Sequence, residues 1–273
     1  MLHKEGPLRE TALVLNSQID VARKGLSGVR RRVSAAEWEA RVELAALYRL
    51  VAHFRWTDTI YTHISLRVPG EDSFLINPFG YLYEEVTASC LVKVDLRGEV
   101  LDDPTGLGIN KAGFVIHSAV HGARDDVHCV VHTHTRAGVA VSAQEGGLLP
   151  ISQHATLFVD RIAYHDFEGI AVHLPEQQRL VADLGRHRAM ILRNHGLLVA
   201  GRSVAEAFYL INTLERTCEI QVAALGDGAK LRSMSPEALA ASQAELDAYD
   251  MSFARDWAAM LRLVERVGPD YKD

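Results

Sequence analysis

The chain has 273 residues, 48% of them hydrophobic, enough to bury one large core without requiring a second. A formal charge of −6 excludes the basic face a nucleic-acid partner needs, and no apolar run nears the roughly 20 residues of a membrane span. Three widely spaced cysteines (Cys90, Cys129, Cys218), no Cys-x-x-Cys pair and no signal-peptide pattern point to reduced thiols and a cytoplasmic setting.

Residues 1–33 read as a weakly structured arm, with Arg30-Arg31-Arg32 a solvated basic run. Ser34-Ala-Ala-Glu37 is a capping box, and Leu44, Leu47, Tyr48 and Val51 follow at one-face helical spacing. From Ile60 to Val68 the period becomes two. Ile60, Ile64, Leu66 and Val68 share one side of a strand, and Tyr61, His63, Ser65 and Arg67 share the other. Further strands are expected at Phe74–Ile76 and at Leu91–Leu96, the latter closed by Arg97-Gly98 into a hairpin with Glu99–Leu101. Asn110–Ala123 reads as a helix, Arg124–Asp126 as a turn and His128–His134 as a strand. Short strands follow near Arg161–Tyr164 and Ile170–His173, then a helix over about Glu176–Arg186. Ala189–Leu192 leads as a strand into Asn194-His195-Gly196, and Leu197–Val199 continues beyond. Ser203-Val-Ala-Glu206 is a second capping box, opening a helix with an apolar stripe from Ala207 to Leu225. Two more helices are expected, one opened by Ser235-Pro236-Glu237 and one over Met251–Val267. Mixed helices and strands with hairpins give an α/β sheet with helices packed on it.

Within this frame the informative feature is Cys129-Val-Val-His132-Thr-His134. Positions i and i+2 of a strand face the same way, so His132 and His134 aim both imidazoles at one point. A third imidazole, His195 from the Asn-His-Gly turn, completes a three-nitrogen site with open positions for water or substrate. The competing reading is of half-buried strand histidines bonded to carbonyls or carboxylates.

In order and spacing, the helix Phe114–Val120, the strand His132-Thr-His134 and the turn Asn194-His-Gly-Leu197 resemble the class II aldolase/adducin family. Ile60–Ser65, Pro78–Gly80, Glu85–Ser89, Asn110–Phe114 and Leu149–Ser152 are similar to its adducin-head branch, and the likeness runs from Trp38 to Leu225. The resemblance implies a three-layer α/β/α fold on a mostly antiparallel sheet. It also implies a cyclic homotetramer with active sites between subunits, and a small-molecule substrate. It makes His132, His134 and His195 ligands of a divalent metal. Zinc is the family's usual ion, and three neutral imidazoles also accept Mn2+ or Fe2+. Residues 34–228 then form the aldolase/adducin-like domain, and 229–273 a helical extension packed on it.

The chain departs from the family's sugar-phosphate aldolases at their acid/base glutamate, four residues before the helix histidine. Counting back from His117 gives Gly113. Lys111 and Ala112 replace the phosphate-gripping serines, and Phe79-Gly80 replaces a Ser-Gly turn, so a phosphorylated substrate is disfavoured although Lys111 still offers charge to one. Retro-aldol cleavage needs a base for the hydroxyl proton, whereas decarboxylation needs an acid only at the final protonation. The expected function is therefore a metal-dependent carbon–carbon lyase on a small keto or hydroxy acid. The alternatives are a non-haem iron oxygenase and a non-enzymatic adducin-like binding protein.

His117 either lines the pocket or caps a neighbouring carbonyl. His154 lies near the place of a tyrosine that the family's aldolases supply from an adjoining subunit, and is either a proton donor or an ordinary loop residue. Glu84 either replaces the lost acid or serves helix entry or an interface. His63 and Arg67 share a strand face and either grip a substrate carboxylate or make an interface salt bridge. His121, His128, His165, His173 and His187 are expected to be surface or structural.

Overall fold

The protein is described by a computed structural model at residue 17 and over residues 26–169, 174–226, 228, 230–248 and 252–273. Its strands are β1 (His63–Arg67), β2 (Ser73–Ile76), β3 (Val92–Asp95), β4 (Val100–Asp102), β5 (Cys129–Thr133), β6 (Ala163–His165), β7 (Ala189–Leu192) and β8 (Gly196–Gly201). They make one sheet in the order β4-β3-β2-β1-β5-β8-β7-β6. Every neighbouring pair is antiparallel except β6 and β7, which are parallel. The helices are α1 (Ala35–His53), α2 (Lys111–Ala123), α3 (Arg136–Ser142), α4 (Leu174–Leu184), α5 (Val204–Leu225), α6 (Pro236–Asp247) and α7 (Ala254–Val267).

Side-chain alternation along the strands builds two cores. Ile64, Leu66, Val131, Ile191, Leu197 and Val199 pack against Leu44, Leu47 and Val51 of α1 and Ile211 and Leu214 of α5. Their neighbours Val130, Met190, Leu192, Leu198 and Ala200 point the opposite way, onto Ile116 and Val120 of α2 and Leu180 and Leu184 of α4. The three-layer α/β/α arrangement on a mostly antiparallel sheet is thus the expected one. His63, Ser65 and His132 lie at positions facing the α2 layer, so helix α2 roofs the region where strand histidines gather.

Three expectations change in detail. Strand β1 begins at His63 rather than Ile60, because Tyr61 N–H donates to Asp58 O at 2.9 Å in a turn that includes Thr59 at φ +48°. Strand β6 runs Ala163–His165 instead of Arg161–Tyr164, drawn into register with Met190–Leu192. Both capping boxes form only their serine half. Ser34 Oγ accepts from Glu37 N and Ser203 Oγ from Glu206 N, each at 3.1 Å. The Glu37 carboxylate is taken by Arg41 Nε at 2.9 Å and Lys93 Nζ at 3.0 Å, and Glu206 by Arg202. The buried Arg41 guanidinium needs a charged partner more than an exposed serine N–H does; Arg202, half exposed, takes Glu206 through its guanidinium and its own N–H. The expected strand Ile170–His173, and most of the 1–33 arm, lie outside the described residues; in the described part of the arm Val29–Arg32 forms one helical turn.

The C-terminal stretch is tied back to the start of the fold. Asp270 makes a two-pronged ion pair with Arg49 of α1 at 3.0 Å on both oxygens, and Tyr271 is buried in the larger core. Tyr48 of α1 fixes the opening of β1. The Ile64 and Asn77 N–H groups donate to its hydroxyl at 3.0 and 3.1 Å, and the hydroxyl lies 2.8 Å from Asn77 Oδ1. Tyr48→Phe keeps the ring but strands both buried N–H groups. A loss of about 2–5 kcal/mol is expected in urea unfolding at constant m. A loss below about 1 kcal/mol would show that the hydroxyl does not hold β1 in place.

Candidate metal centre

His132 and His134 leave the end of β5 on its α2 face, and Thr133 between them points to α5. His195 arrives from the tight turn joining β7 to β8, where His195 N–H donates to Leu192 O at 3.1 Å. The three Nε2 atoms converge. They stand 2.8 Å apart for His132 and His134, 3.0 Å for His134 and His195, and 3.3 Å for His132 and His195. Nitrogens bound tetrahedrally at 2.0–2.1 Å from an ion lie about 3.3 Å apart, so the spacing fits one divalent ion with little adjustment. Among the described residues these three are the one cluster of metal-ligating groups so arranged.

The outer nitrogens set the tautomers. His132 Nδ1 lies 2.9 Å from Leu197 O, and His134 Nδ1 lies 3.0 Å from Asp58 Oδ2. A carbonyl and a carboxylate only accept, so both imidazoles carry hydrogen on Nδ1 and turn a bare Nε2 inward. Burial, reinforced by the neighbouring imidazoles, holds His132 well below the ordinary histidine range and brings His195 down to about 4. Both are therefore neutral at pH 7.

Two backbone features bring the turn this close. Asn194 takes a left-handed conformation at φ +57°, a region Asn enters at low cost. A Cβ on Gly196 would stand 2.2 Å from Thr133 O, so only glycine lets β8 press against the end of β5. From the other face, Thr133 and Thr135 donate to the two oxygens of Glu215 on α5 at 2.6 and 2.5 Å. Burial pushes that carboxyl up to about 7. Glu215 thus braces the His-Thr-His segment from behind.

A line of buried imidazoles continues from the triad beneath α2. His63 lies opposite His132 in the β1–β5 ladder, with ring centroids 5.1 Å apart. Its Nδ1 is 2.9 Å from His117 Nε2. His117 Nδ1 is 2.5 Å from Ser65 Oγ, which is 2.7 Å from His121 Nε2. Both nitrogens of His117 are therefore engaged, and it reaches the centre only through His63.

The remaining candidates fall elsewhere within the chain. Arg67 shares the strand face of His63, but positions four apart on a strand are about 13 Å apart, so the two do not converge on one carboxylate. Arg67 instead donates to the His121 carbonyl. Lys111 is the exposed first residue of α2. His154 is exposed in a groove with Tyr209, Arg216 and Glu245. Glu84 is exposed in a groove with Leu26, Asp270 and Asp273. No triad residue lines either groove. His165 is buried, its Nδ1 2.7 Å from Asp183, in a small cleft that His195 also lines. Asp58, Glu215 and His165 escape sequence reading because each meets the site through tertiary packing. The only cue for Asp58 is a lone acid among turn residues.

The chain is similar to known proteins in sequence and in fold. The family described as Class II Aldolase and Adducin N-terminal domain matches residues 42–222. A protein of Pseudomonas aeruginosa named for the class 2 aldolases is 48% identical over 249 residues, 89% of this chain and 96% of that protein. Alpha-adducin of Rattus norvegicus is 53% identical over 188 residues, which cover 68% of this chain but only 25% of adducin. The crystal structure of an aldolase II superfamily protein from Pseudomonas syringae superposes with a TM-score of 0.86 at 57% identity, covering 90% of this chain and 99% of that one. The chain belongs to the class II aldolase and adducin family.

Two predictions follow from the packing around the centre. Gly196→Ala forces β8 away from β5, with an expected loss above about 3 kcal/mol in unfolding and disruption of the triad. Wild-type stability would show that the close approach is dispensable. His117 and His121 are buried and neutral, burial holding the first well below the ordinary range and the second at about 3. In the unfolded chain both titrate near 6.5, so their stability is complete above that pH and is lost progressively below it. With chelator present, these two contribute a loss of about 2 kcal/mol in unfolding free energy between pH 6.5 and 5.5, and the likewise depressed His63, His132 and His195 add to it. A flat profile across that interval would contradict their neutral burial.

Proposed function

We propose that this protein is a divalent-metal-dependent carbon–carbon lyase, of the decarboxylase or aldolase type, acting on a small keto or hydroxy acid. The observation that carries the reading is the convergence of three Nε2 atoms at 2.8–3.3 Å, two of them bare by tautomer, beside a helix position, Gly113, that offers no carboxylate. His132, His134 and His195 would hold the ion, zinc in the first instance and otherwise Mn2+ or Fe2+. Bound there, the ion supplies a Lewis acid for negative charge developing on a substrate oxygen.

The chain's own groups do the rest. Asp58 and the Leu197 carbonyl fix the ring orientations of His134 and His132. The neutral imidazoles beneath α2 handle the proton, His117 acting through His63 because both of its own nitrogens are occupied. With no carboxylate at 113 to take a hydroxyl proton, decarboxylation, which needs only a final protonation, suits the site better than sugar-phosphate cleavage. Lys111 offers charge at the mouth of α2. His154 and Glu84 would meet substrate only across subunits, which accords with a homotetramer, in a cytoplasmic enzyme whose domain spans 34–228 with 229–273 packed on it. Among the described residues no helix is long and apolar enough to cross a membrane.

Elemental analysis of the purified protein and of a His132→Ala/His195→Ala variant tests the reading, together with CO2 release and carbon–carbon cleavage on keto-acid and hydroxy-acid panels. About one ion per chain, lost in the variant, with turnover of an acid on the panels, is expected. No metal after reloading would replace the lyase reading with a binding role, which the identity to alpha-adducin would then favour. Asp58→Ala is expected to weaken zinc 10–100-fold in competition with a chromophoric chelator. Unchanged affinity would remove Asp58 from the site.

A further inference from the structure

The large aromatic side chains that stay exposed gather at one end of the sheet. Among the described residues they are Tyr61, Phe79 and Phe167, at 54%, 37% and 55% exposure. Phe167 has its ring centroid 6.5 Å from that of His195, edge to face at 75°. It follows β6, whose His165 pairs with Leu192 at the end of β7, and it lines with His195 the same small cleft. Tyr61 precedes His63 by two positions, and its N–H closes the turn on Asp58, the partner of His134 Nδ1. Phe79 follows β2, where Ile76 pairs with Ser65, so the chain beyond Ile76 runs toward the level of His63.

The three rings come from separate segments, but β1 begins, and β2, β5, β6 and β7 end, at this one end of the sheet. A single exposed ring is ordinary on a protein surface; rings grouped beside a site with open coordination positions mark a ligand wall. Phe79 and Phe167 carry no polar side-chain atom. A substrate hydroxyl set against either would give up its water and gain no hydrogen bond, which costs affinity. Two charged residues of the cleft are engaged elsewhere. Glu168 pairs with Arg179, and Arg193 donates to the Gln144 carbonyl and stacks on Tyr164. An aryl group set against Phe167 leaves water and meets the stacked or edge-to-face geometry that aromatic pairs favour.

We propose that Phe167 is the specificity-determining residue of this site, and that the acid turned over here carries an aryl group in place of the hydroxylated chain of a sugar acid. This role rests on the lyase reading above and narrows its keto and hydroxy acids to aryl ones. The acid group goes to the triad and the aryl ring to Phe167, with Tyr61 and Phe79 on the same rim.

Calorimetry on the full chain, with metal content measured for each protein, tests the role with three acids that share one head group: glyoxylate, phenylglyoxylate and cyclohexylglyoxylate. Wild type is expected to bind phenylglyoxylate about tenfold tighter than glyoxylate, as burial of about half a ring predicts, and tighter than cyclohexylglyoxylate. In Phe167→Ala the preference for phenylglyoxylate over glyoxylate should fall toward none. Phe167→Leu keeps bulk but not the ring; it should retain part of that preference and lose the one for phenyl over cyclohexyl. The side chain is exposed, so both variants are expected to fold, with the wild-type mass in light scattering. An unchanged preference in Phe167→Ala overturns the role of Phe167. No preference for phenyl over cyclohexyl in wild type overturns the aryl substrate. A changed mass in Phe167→Ala makes Phe167 a subunit contact and overturns both. Absence of metal from every protein after reloading sinks the lyase reading itself, and the aryl substrate with it, which elemental analysis shows before any ligand is added.

Discussion

The close antiparallel contact between β5 and β8 is the constraint on which the site depends. His132 and His134 are fixed by strand alternation, but His195 is 61 residues beyond His134 and reaches them only because β8 lies directly against β5. The contact is tightest where the strands end, at the Thr133 carbonyl and the missing side chain of Gly196. Everything around this seam serves to hold it. Leu197 lends its carbonyl to His132, Glu215 braces Thr133 and Thr135 from the far side, and Asp58 closes on His134 from the turn before β1. The imidazoles are oriented by main chain and carboxylates before any ion arrives, so little side-chain entropy remains to be lost on binding.

Gathering so many histidines in a water-poor layer has an electrostatic consequence. Burial drives His63, His117, His121, His132 and His195 toward the neutral form, and each added imidazole makes protonation of its neighbours harder. Neutrality suits metal ligation, which needs lone pairs. It also raises the problem of satisfying polar atoms away from water. The Ser65 hydroxyl solves that problem by linking His117 to His121, so that the layer under α2 is a connected network. On the same strand, Ile64 and Leu66 face the larger core. One period-two segment thus supplies packing to one side of the sheet and chemistry to the other.

How much of this was legible in the sequence depends on the range of the interaction that decides it. Period-two alternation in β1 and β5, and the helical stripes of α1 and α5, are local, and they assigned the strand faces, the layers and the shared face of His132 and His134. Cap serines were legible for the same reason. The carboxylate halves of the capping boxes were not, because Glu37 and Glu206 are claimed by arginines four positions away, and Glu37 by the distant Lys93 as well, in competition with the cap N–H. Asp58 and Glu215 lie 76 and 82 positions from the residues they hold, with no periodic signal to tie them. His165 reads as one more histidine until Asp183 is found against it. Pairing His63 with Arg67 failed because a shared face is not a shared location: a strand separates positions four apart by more than any carboxylate spans.

The same domain is close to class 2 aldolase relatives over nearly its whole length and to alpha-adducin over a quarter of that longer protein. A shared fold does not decide between them, since function resides in the site and not in the scaffold. Here the site divides into two parts built on different elements. The ligand set depends on β5, the β7–β8 turn and the Asp58 turn. The buried imidazole layer depends on α2 and β1, where Gly113 and His63 share one volume. The parts meet along the paired strands β1 and β5, where His63 stands opposite His132. This chain keeps the three nitrogens and their orienting partners, and it has an imidazole network where sugar-phosphate aldolases carry a carboxylate. A relative that lost the three histidines would have no triad for Asp58 and Gly196 to hold in place.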